Sequence, residues 1–208
     1  MFDPAWLLPF LPVLLLGLTL HEFAHAWTAW QFGDPTPKLA GRLSLNPLRH
    51  LDPLGTLFMF LAQFGWAKPV PINPLNFRHP AADFWVSLAG ILANLLQAVL
   101  YALVWHLLPQ MAPTALGMLL LHFLWLGVMI NLSLALFNLL PIFPLDGSHV
   151  LKHLLPRMQA IRFQAFSERY GAAVLFGLLM LGYVSEVSPL VLLISVPRDW
   201  LARLLLGV

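Results

Sequence analysis

The chain has 208 residues, of which 60% are hydrophobic and only 10% charged, with a formal net charge of +2. Soluble proteins carry about 25% charged residues, so this composition excludes an ordinary water-soluble enzyme, and without a Lys/Arg run no nucleic-acid partner is implied. Cysteine is absent, which leaves His, Asp, Glu and water as the ligands for any transition-metal site.

The first apolar stretch, residues 4–32, exceeds the roughly 20 residues that cross a bilayer. It has no basic start and no small-residue cleavage site, so it reads as a retained span and not as a signal peptide. Within it stands His21-Glu22-Phe23-Ala24-His25. On a helix His21 and His25 lie one turn apart on one face, where both rings reach one metal ion, with Glu22 adjacent to take a proton from water. The same five letters also arise by chance, as two satisfied polar residues on a helix. Ionisable groups within a bilayer cost roughly 2.5–3.5 kcal/mol each on insertion scales, and that expense favours the functional reading.

A linker rich in Pro and Gly follows over residues 33–79. Its apolar piece, residues 54–64, is too short to cross and predicts a re-entrant or interfacial segment. Residues 38–46 alternate Leu39, Leu43 and Leu45 with Lys38, Arg42 and Ser44, predicting a partly buried strand. In residues 68–73, Pro69 and Pro71 cannot donate to a central ladder, which predicts an edge strand or a polyproline segment. Together they predict a small membrane-associated sheet, with Ile72 and Asn73 on the edge that pairs with unwound substrate. A plain loop with proline turns is the alternative.

The second span, residues 80–108, carries Gly90 and Asn94 at i and i+4. Asn94 either hydrogen-bonds a developing oxyanion or substrate backbone, or packs helices. The third span, residues 114–140, runs into Asn138-Leu-Leu-Pro141-Ile-Phe-Pro144-Leu145-Asp146-Gly147, where the prolines break the helix. A catalytic zinc takes three protein ligands, one more than His21 and His25 supply. The candidates are Asp146, His106, His122, His149 and Glu186. Asp146 emerges on the same side as His25, although a helix cap is an equal reading. His149, three residues on, either orients Asp146 or caps.

Residues 170–183 and 190–208 are apolar again, separated by a break at 185–189, and the last stretch carries Arg198, Asp199 and Arg203. They make one span, two short ones, or a span and an interfacial helix. The expectation is an all-α polytopic membrane protein forming a single domain over residues 1–208. About five spans, within a range of about four to six, are predicted.

Lys38, Arg42, Arg49, Lys68 and Arg78 follow the first span, Lys152, Arg157, Arg162 and Arg169 follow the third, and the loop at 109–113 has no basic residue. The positive-inside rule places both groups, and the His-Glu motif with them, on the cytoplasmic side. His50 and His79 read as interfacial loop residues, and His106 and His122 as neighbours of the far interface. The Trp residues at 27, 30, 66, 85, 105, 125 and 200 suit interfacial belts. Asn131 and Asn138, on one helix face, read as packing residues.

His21-Glu22-x-x-His25 followed by Asn138-x-x-Pro141-x-x-Pro144-Leu145-Asp146-Gly147 resembles the site-2 protease family of intramembrane zinc metalloproteases, peptidase family M50. Gly65-Trp66-Ala67-Lys68-Pro69-Val70-Pro71-Ile72-Asn73-Pro74 and Gly90-x-x-x-Asn94 match as well, so the resemblance covers most of residues 15–151. The chain looks like a compact member without extra soluble domains. Ser148 stands where many members have a second glycine. The resemblance implies a zinc metalloendopeptidase in which His21, His25 and Asp146 bind one Zn2+ and Glu22 is general base and then acid. It further implies a multi-pass protein of a prokaryotic cell (inner) membrane that cuts membrane proteins at a transmembrane helix, in regulated intramembrane proteolysis. A zinc-binding transporter and a catalytically silent helix-capturing scaffold are the other classes. No inverted repeat supports transport, and transport has no need of Glu22.

Overall fold

The computed structural model describes residues 4–62, 65–108, 114–184 and 188–207. Eight α-helices account for most of them: α1 (Pro4–Gln31), α2 (Thr36–Leu39), α3 (Pro53–Ala62), α4 (Ala82–Leu107), α5 (Ala115–Leu139), α6 (Asp146–Leu154), α7 (Arg157–Val184) and α8 (Pro189–Leu206). Among the described residues, three helical segments are long and apolar enough to cross a membrane: Pro9–Gln31, Ala82–Leu107 and Ala115–Leu139. They are the three spans read from hydropathy. Their ends carry local signals: Thr114 accepts from the Gly117 amide at the start of α5, and Pro141 and Pro144 follow its end.

α1, α4 and α5 form the central bundle, with α4 antiparallel to the other two. Small residues let the backbones approach. A β-carbon at Gly17 of α1 would lie 3.1 Å from Asn131 Oδ1 of α5, and one at Gly147 would lie 2.1 Å from the Leu139 carbonyl, so the first turn of α6 is seated directly on the end of α5.

α8 runs along this bundle. Leu190 near its start clusters with Leu145 and Leu175, while Ala202 and Leu206 pack with Ala98, Ala102, Val128 and Leu132. His106 Nε2 donates to the Leu205 carbonyl at 2.8 Å, tying the ends of α4 and α8. Arg198 pairs with its neighbour Asp199 at 2.7 Å, which lowers the cost of carrying both charges on a helix whose remaining charge is Arg203 near its end.

The linker departs from the predicted sheet. Among the described residues no strand forms, and the only β-pairing is a single bridge between Leu51 and Ala67. Over residues 38–46 the chain instead finishes α2 and turns through Gly41, whose φ of 68° is in the left-handed region. Burial there departs from the predicted pattern at three positions, although Lys38 is exposed and Leu43 partly buried as expected: Arg42 is 4% exposed, whereas Leu39 is 82% and Leu45 61% exposed. The alternation was read with water as the outside. For a linker beside lipid, leucines belong outside and the guanidinium belongs among carbonyls. The apolar piece forms α3, which folds back so that a β-carbon at Gly55 would strike the Trp66 carbonyl at 2.2 Å.

Glu186 and the loop at 109–113 lie outside the described residues, as does most of the break predicted at 185–189.

Candidate metal centre

His21 and His25 project from one face of α1, with ring centroids 4.6 Å apart and planes at 81°. Asp146, the first residue of α6, meets them from the other side of the bundle. His21 Nε2 and His25 Nε2 are 3.0 Å apart, and Asp146 Oδ2 is 3.2 Å from the first and 3.3 Å from the second. Among the described residues this is the only group of three or more His, Asp or Glu donors gathered closely enough to share an ion.

Both imidazoles are held from behind. His21 Nδ1 is 2.7 Å from Asn94 Oδ1, and His25 Nδ1 is 2.7 Å from the Val86 carbonyl. Each of those oxygens accepts, so each Nδ1 carries the proton and each Nε2 presents its lone pair to the centre. Asp146 Oδ2 is buried without a hydrogen-bond donor of its own. Three donors facing one point, with both Nδ1 atoms engaged elsewhere, suit a bound cation there. Two imidazoles and a carboxylate suit zinc, and the donor separations are close to the edge of about 3.3 Å that a tetrahedron with bonds of about 2.0–2.1 Å would have.

Gly90 on α4 makes room for the group. A β-carbon at that position would lie 2.3 Å from His25 Nε2 and 2.7 Å from His21 Nε2. The sequence drew attention to Gly90 only through its spacing from Asn94. Its clearance of the metal centre needed coordinates.

Glu22 faces the linker. Its Oε2 accepts from the Val70 amide at 3.2 Å and lies 4.0 Å from Arg42 Nη2. Arg42 donates to the Arg49 carbonyl at 2.7 Å and to the Lys68 carbonyl, so one buried guanidinium joins both linker arms to the acid. Burial pulls the Arg42 pKa down, and the Glu22 charge works against that pull.

Asn94 is fully buried, and its amide nitrogen donates to the Gly17 carbonyl at 3.1 Å and to Asn131 Oδ1 at 2.9 Å. It lies behind His21 with both amide protons engaged. Asn73 gives its main-chain N–H to Asp34 Oδ2 at 2.7 Å, and its side chain caps the Leu75 amide. Ile72 is partly buried and makes no hydrogen bond among the described residues. His149 turns away from Asp146: its Nδ1 lies 3.6 Å from Asp83 Oδ2, the oxygen that also receives Lys152 at 2.7 Å and His153 at 3.0 Å.

Sequence reasoning missed three residues around the centre. Asp34, fully buried, binds the Thr36 amide and hydroxyl, the Asn73 amide and the Asn76 side chain. His50 lies in the linker but is 1% exposed, with Nε2 2.7 Å from the Ser44 carbonyl. Asp83 clamps α6 to α4. A polar or ionisable residue in so apolar a chain was the available signal in each case, without an indication of its partner.

Comparison with known proteins places this geometry. The profile of Peptidase family M50 matches residues 108–182. A Bacillus subtilis (strain 168) protein named "Putative zinc metalloprotease YwhC" is 38% identical over 212 residues, covering 98% of this chain and 94% of its own length. The chain belongs to peptidase family M50. This is the site-2 protease type, and the M50 chain described here also resembles two mycobacterial proteins named "Putative zinc metalloprotease Rip2". The one from Mycobacterium tuberculosis (strain H37Rv) is 39% identical over 155 residues, 70% of this chain and 57% of that protein. The one from Mycolicibacterium smegmatis is 35% identical over 176 residues, 80% of this chain and 64% of that protein. No solved structure matches the M50 chain.

Proposed function

We propose that the protein is an intramembrane zinc metalloprotease that hydrolyses peptide bonds of transmembrane-helix substrates. The observation that carries this reading is the convergence of His21 Nε2, His25 Nε2 and Asp146 Oδ2 inside an apolar bundle, one residue from Glu22. His21, His25 and Asp146 are the ligands. A zinc ion held there would supply a Lewis acid for the scissile carbonyl and would make water easier to deprotonate.

The chain's own groups do the rest. Glu22 takes the proton of the attacking water and returns it to the leaving amine, acting as base and then acid. Val70 N–H and Arg42 hold the Glu22 carboxylate while it does so. Asn94 and the Val86 carbonyl keep both imidazoles in the binding tautomer, and this role for Asn94 replaces oxyanion stabilisation, because neither amide proton is free to meet a developing charge. An α-helical substrate hides its peptide bonds, so it must be unwound at the site. The unbonded main chain of Ile72, between the anchored Lys68 and Asn73, offers hydrogen bonds to an extended backbone.

The whole chain is read as one membrane domain of a prokaryotic cell membrane, with the site toward the basic, cytoplasmic face. The course of α8 from Leu190 to Leu206 beside α4 and α5 supports a fourth crossing, and α3 supports a re-entrant segment. The physiological role is regulated proteolysis of membrane-anchored proteins.

The test uses purified wild type and Glu22→Gln, with zinc measured by elemental analysis and cleavage followed on transmembrane-helix reporters. Equal zinc with cleavage lost only in the variant is expected. Cleavage that survives Glu22→Gln removes the assigned base.

A further inference from the structure

A chain of hydrogen bonds with one fixed direction runs from α5 through α4 to the metal centre. Asn131 Nδ2 donates to the Gly127 carbonyl at 2.9 Å, one turn back on α5. A backbone carbonyl only accepts, so this bond fixes which end of the Asn131 amide is nitrogen and leaves Oδ1 facing α4. Asn94 Nδ2 donates to that oxygen at 2.9 Å and to the Gly17 carbonyl at 3.1 Å. Asn94 Oδ1 therefore faces His21 Nδ1, at 2.7 Å. Asn94 and Asn131 are both 0% exposed, so no bulk water can substitute for a lost partner.

We propose that Asn131 is a positioning residue for the metal centre: it holds the Asn94 amide in the one orientation that keeps the proton of His21 on Nδ1 and the lone pair on Nε2. The reason is the near-symmetry of a primary amide. Turned over, Asn94 would present its NH2 to His21 Nδ1, the imidazole would become an acceptor there, and its proton would move to Nε2, where it blocks the metal. Gly17 alone gives Asn94 Nδ2 one acceptor. Asn131 gives the second, and the Gly127 carbonyl is what keeps Asn131 itself from turning over. A packing residue on the same helix would need no such polarity: Ser133 returns its hydroxyl to the Met129 carbonyl at 2.8 Å and takes no part in the chain.

This inference rests on the zinc-site reading above, and it is tested on the metal-free protein as well as the loaded one. Full-length wild type, Asn131→Leu, Asn131→Asp and Ser133→Ala are labelled with 15N-histidine, purified in one detergent and stripped of metal with chelator. The tautomer of His21 is read from its ring 15N shifts, assigned with a His21→Gln spectrum. Zinc affinity is then measured by competition with a chelator of known strength. Wild type and Ser133→Ala are expected to show a single Nδ1-protonated His21 and equal affinity. Asn131→Leu should lose the single tautomer and bind zinc about 10–100-fold more weakly. Asn131→Asp is the conservative variant, since a buried carboxylic acid is held neutral and both accepts from Asn94 and donates to the Gly127 carbonyl. It should recover the tautomer and affinity within about threefold of wild type, which distinguishes positioning from a general loss of packing.

A single Nδ1-protonated His21 with wild-type affinity in Asn131→Leu overturns the proposal. So does an equal loss in Asn131→Leu and Asn131→Asp. Wild type that binds no zinc overturns the metalloprotease reading instead, and the tautomer of the metal-free protein still decides the role of Asn131.

Discussion

Arg42 Nη2 stands 4.0 Å from Glu22 Oε2 while the same guanidinium donates to the Arg49 and Lys68 carbonyls. A planar fork can serve two carbonyls and a carboxylate together, whereas a lysine ammonium is a point charge on a flexible stem. Arg42→Lys is therefore expected to cut turnover at least tenfold and to cost about 2 kcal/mol of stability through the lost charged hydrogen bonds. Zinc content should stay at the wild-type value, because no metal ligand is touched. Elemental analysis beside a cleavage assay checks both parts.

Gly90 is the opposite case, a residue that matters through what it lacks. In Gly90→Ala the new methyl would start 2.3 Å from His25 Nε2, inside any allowed contact. The imidazole has to leave its position, so zinc content should fall close to zero. The overpacking itself costs about 1–3 kcal/mol, which leaves a folded protein whose helical circular dichroism matches wild type. Retained zinc would show that the backbone of α4 yields more easily than the close contact implies.

Asp83 fastens α6, and hence Asp146, to the first turn of α4 through Lys152 and His153. Asp83→Asn should lower thermal stability by about 1–3 kcal/mol and speed the loss of zinc to chelator. His149→Ala should do much less, since His149 reaches Asp83 only at 3.6 Å. Dissociation rates for the two variants, measured with a colorimetric zinc indicator, separate a clamp built on Lys152 and His153 from one built on His149.

The linker carries a pH signature. Burial alone would raise the carboxyl pKa of Asp34, but bonds from Asn76, Thr36 and Asn73 outweigh it and hold the value below the ordinary 3.8. A group depressed in the folded state stabilises fully above its ordinary pKa and stops doing so as the pH falls through its folded one. The gap in thermal midpoint between wild type and Asp34→Asn should therefore be constant from pH 7 down to about pH 5 and close as the pH falls further below about 4. A gap that persists unchanged at about pH 2.5 would mean that the Asp34 bonds do not need the charge.

The parts of this molecule that the sequence made legible are those in which residue identity and spacing are sufficient. His21 and His25 must share a helix face because α-helical geometry puts them there, and the three long apolar runs have few other fates. Asp146 could be paired with them through the prolines that break α5. The linker was misread because alternation in residues 38–46 identifies two faces without saying which of them is buried, and Arg42 is enclosed among carbonyls while Leu39 is exposed. The packing of α8 along α4 and α5 was not legible, because Arg198 and Asp199 lower its hydropathy and their mutual pairing does not show in the sequence. The sequence left Asn94 open between an oxyanion role and helix packing because its partners, Gly17 and Asn131, are distant in sequence and ordinary in type.

The inside-out character of the linker has a consequence for how the enzyme tolerates its own substrate. Leu48 and Leu75 point outward at 76% and 92% exposure, so the hydrophobic effect contributes little cohesion to this segment. It is held by the buried polar groups of Asp34, Arg42 and His50. Such bonds are strong where water is scarce and weak where water competes for them. Glu22, the proposed base, is bound to that same segment through Val70. Hydration and integrity thus oppose each other at one place, so bulk solvent at Glu22 would loosen the segment that holds it.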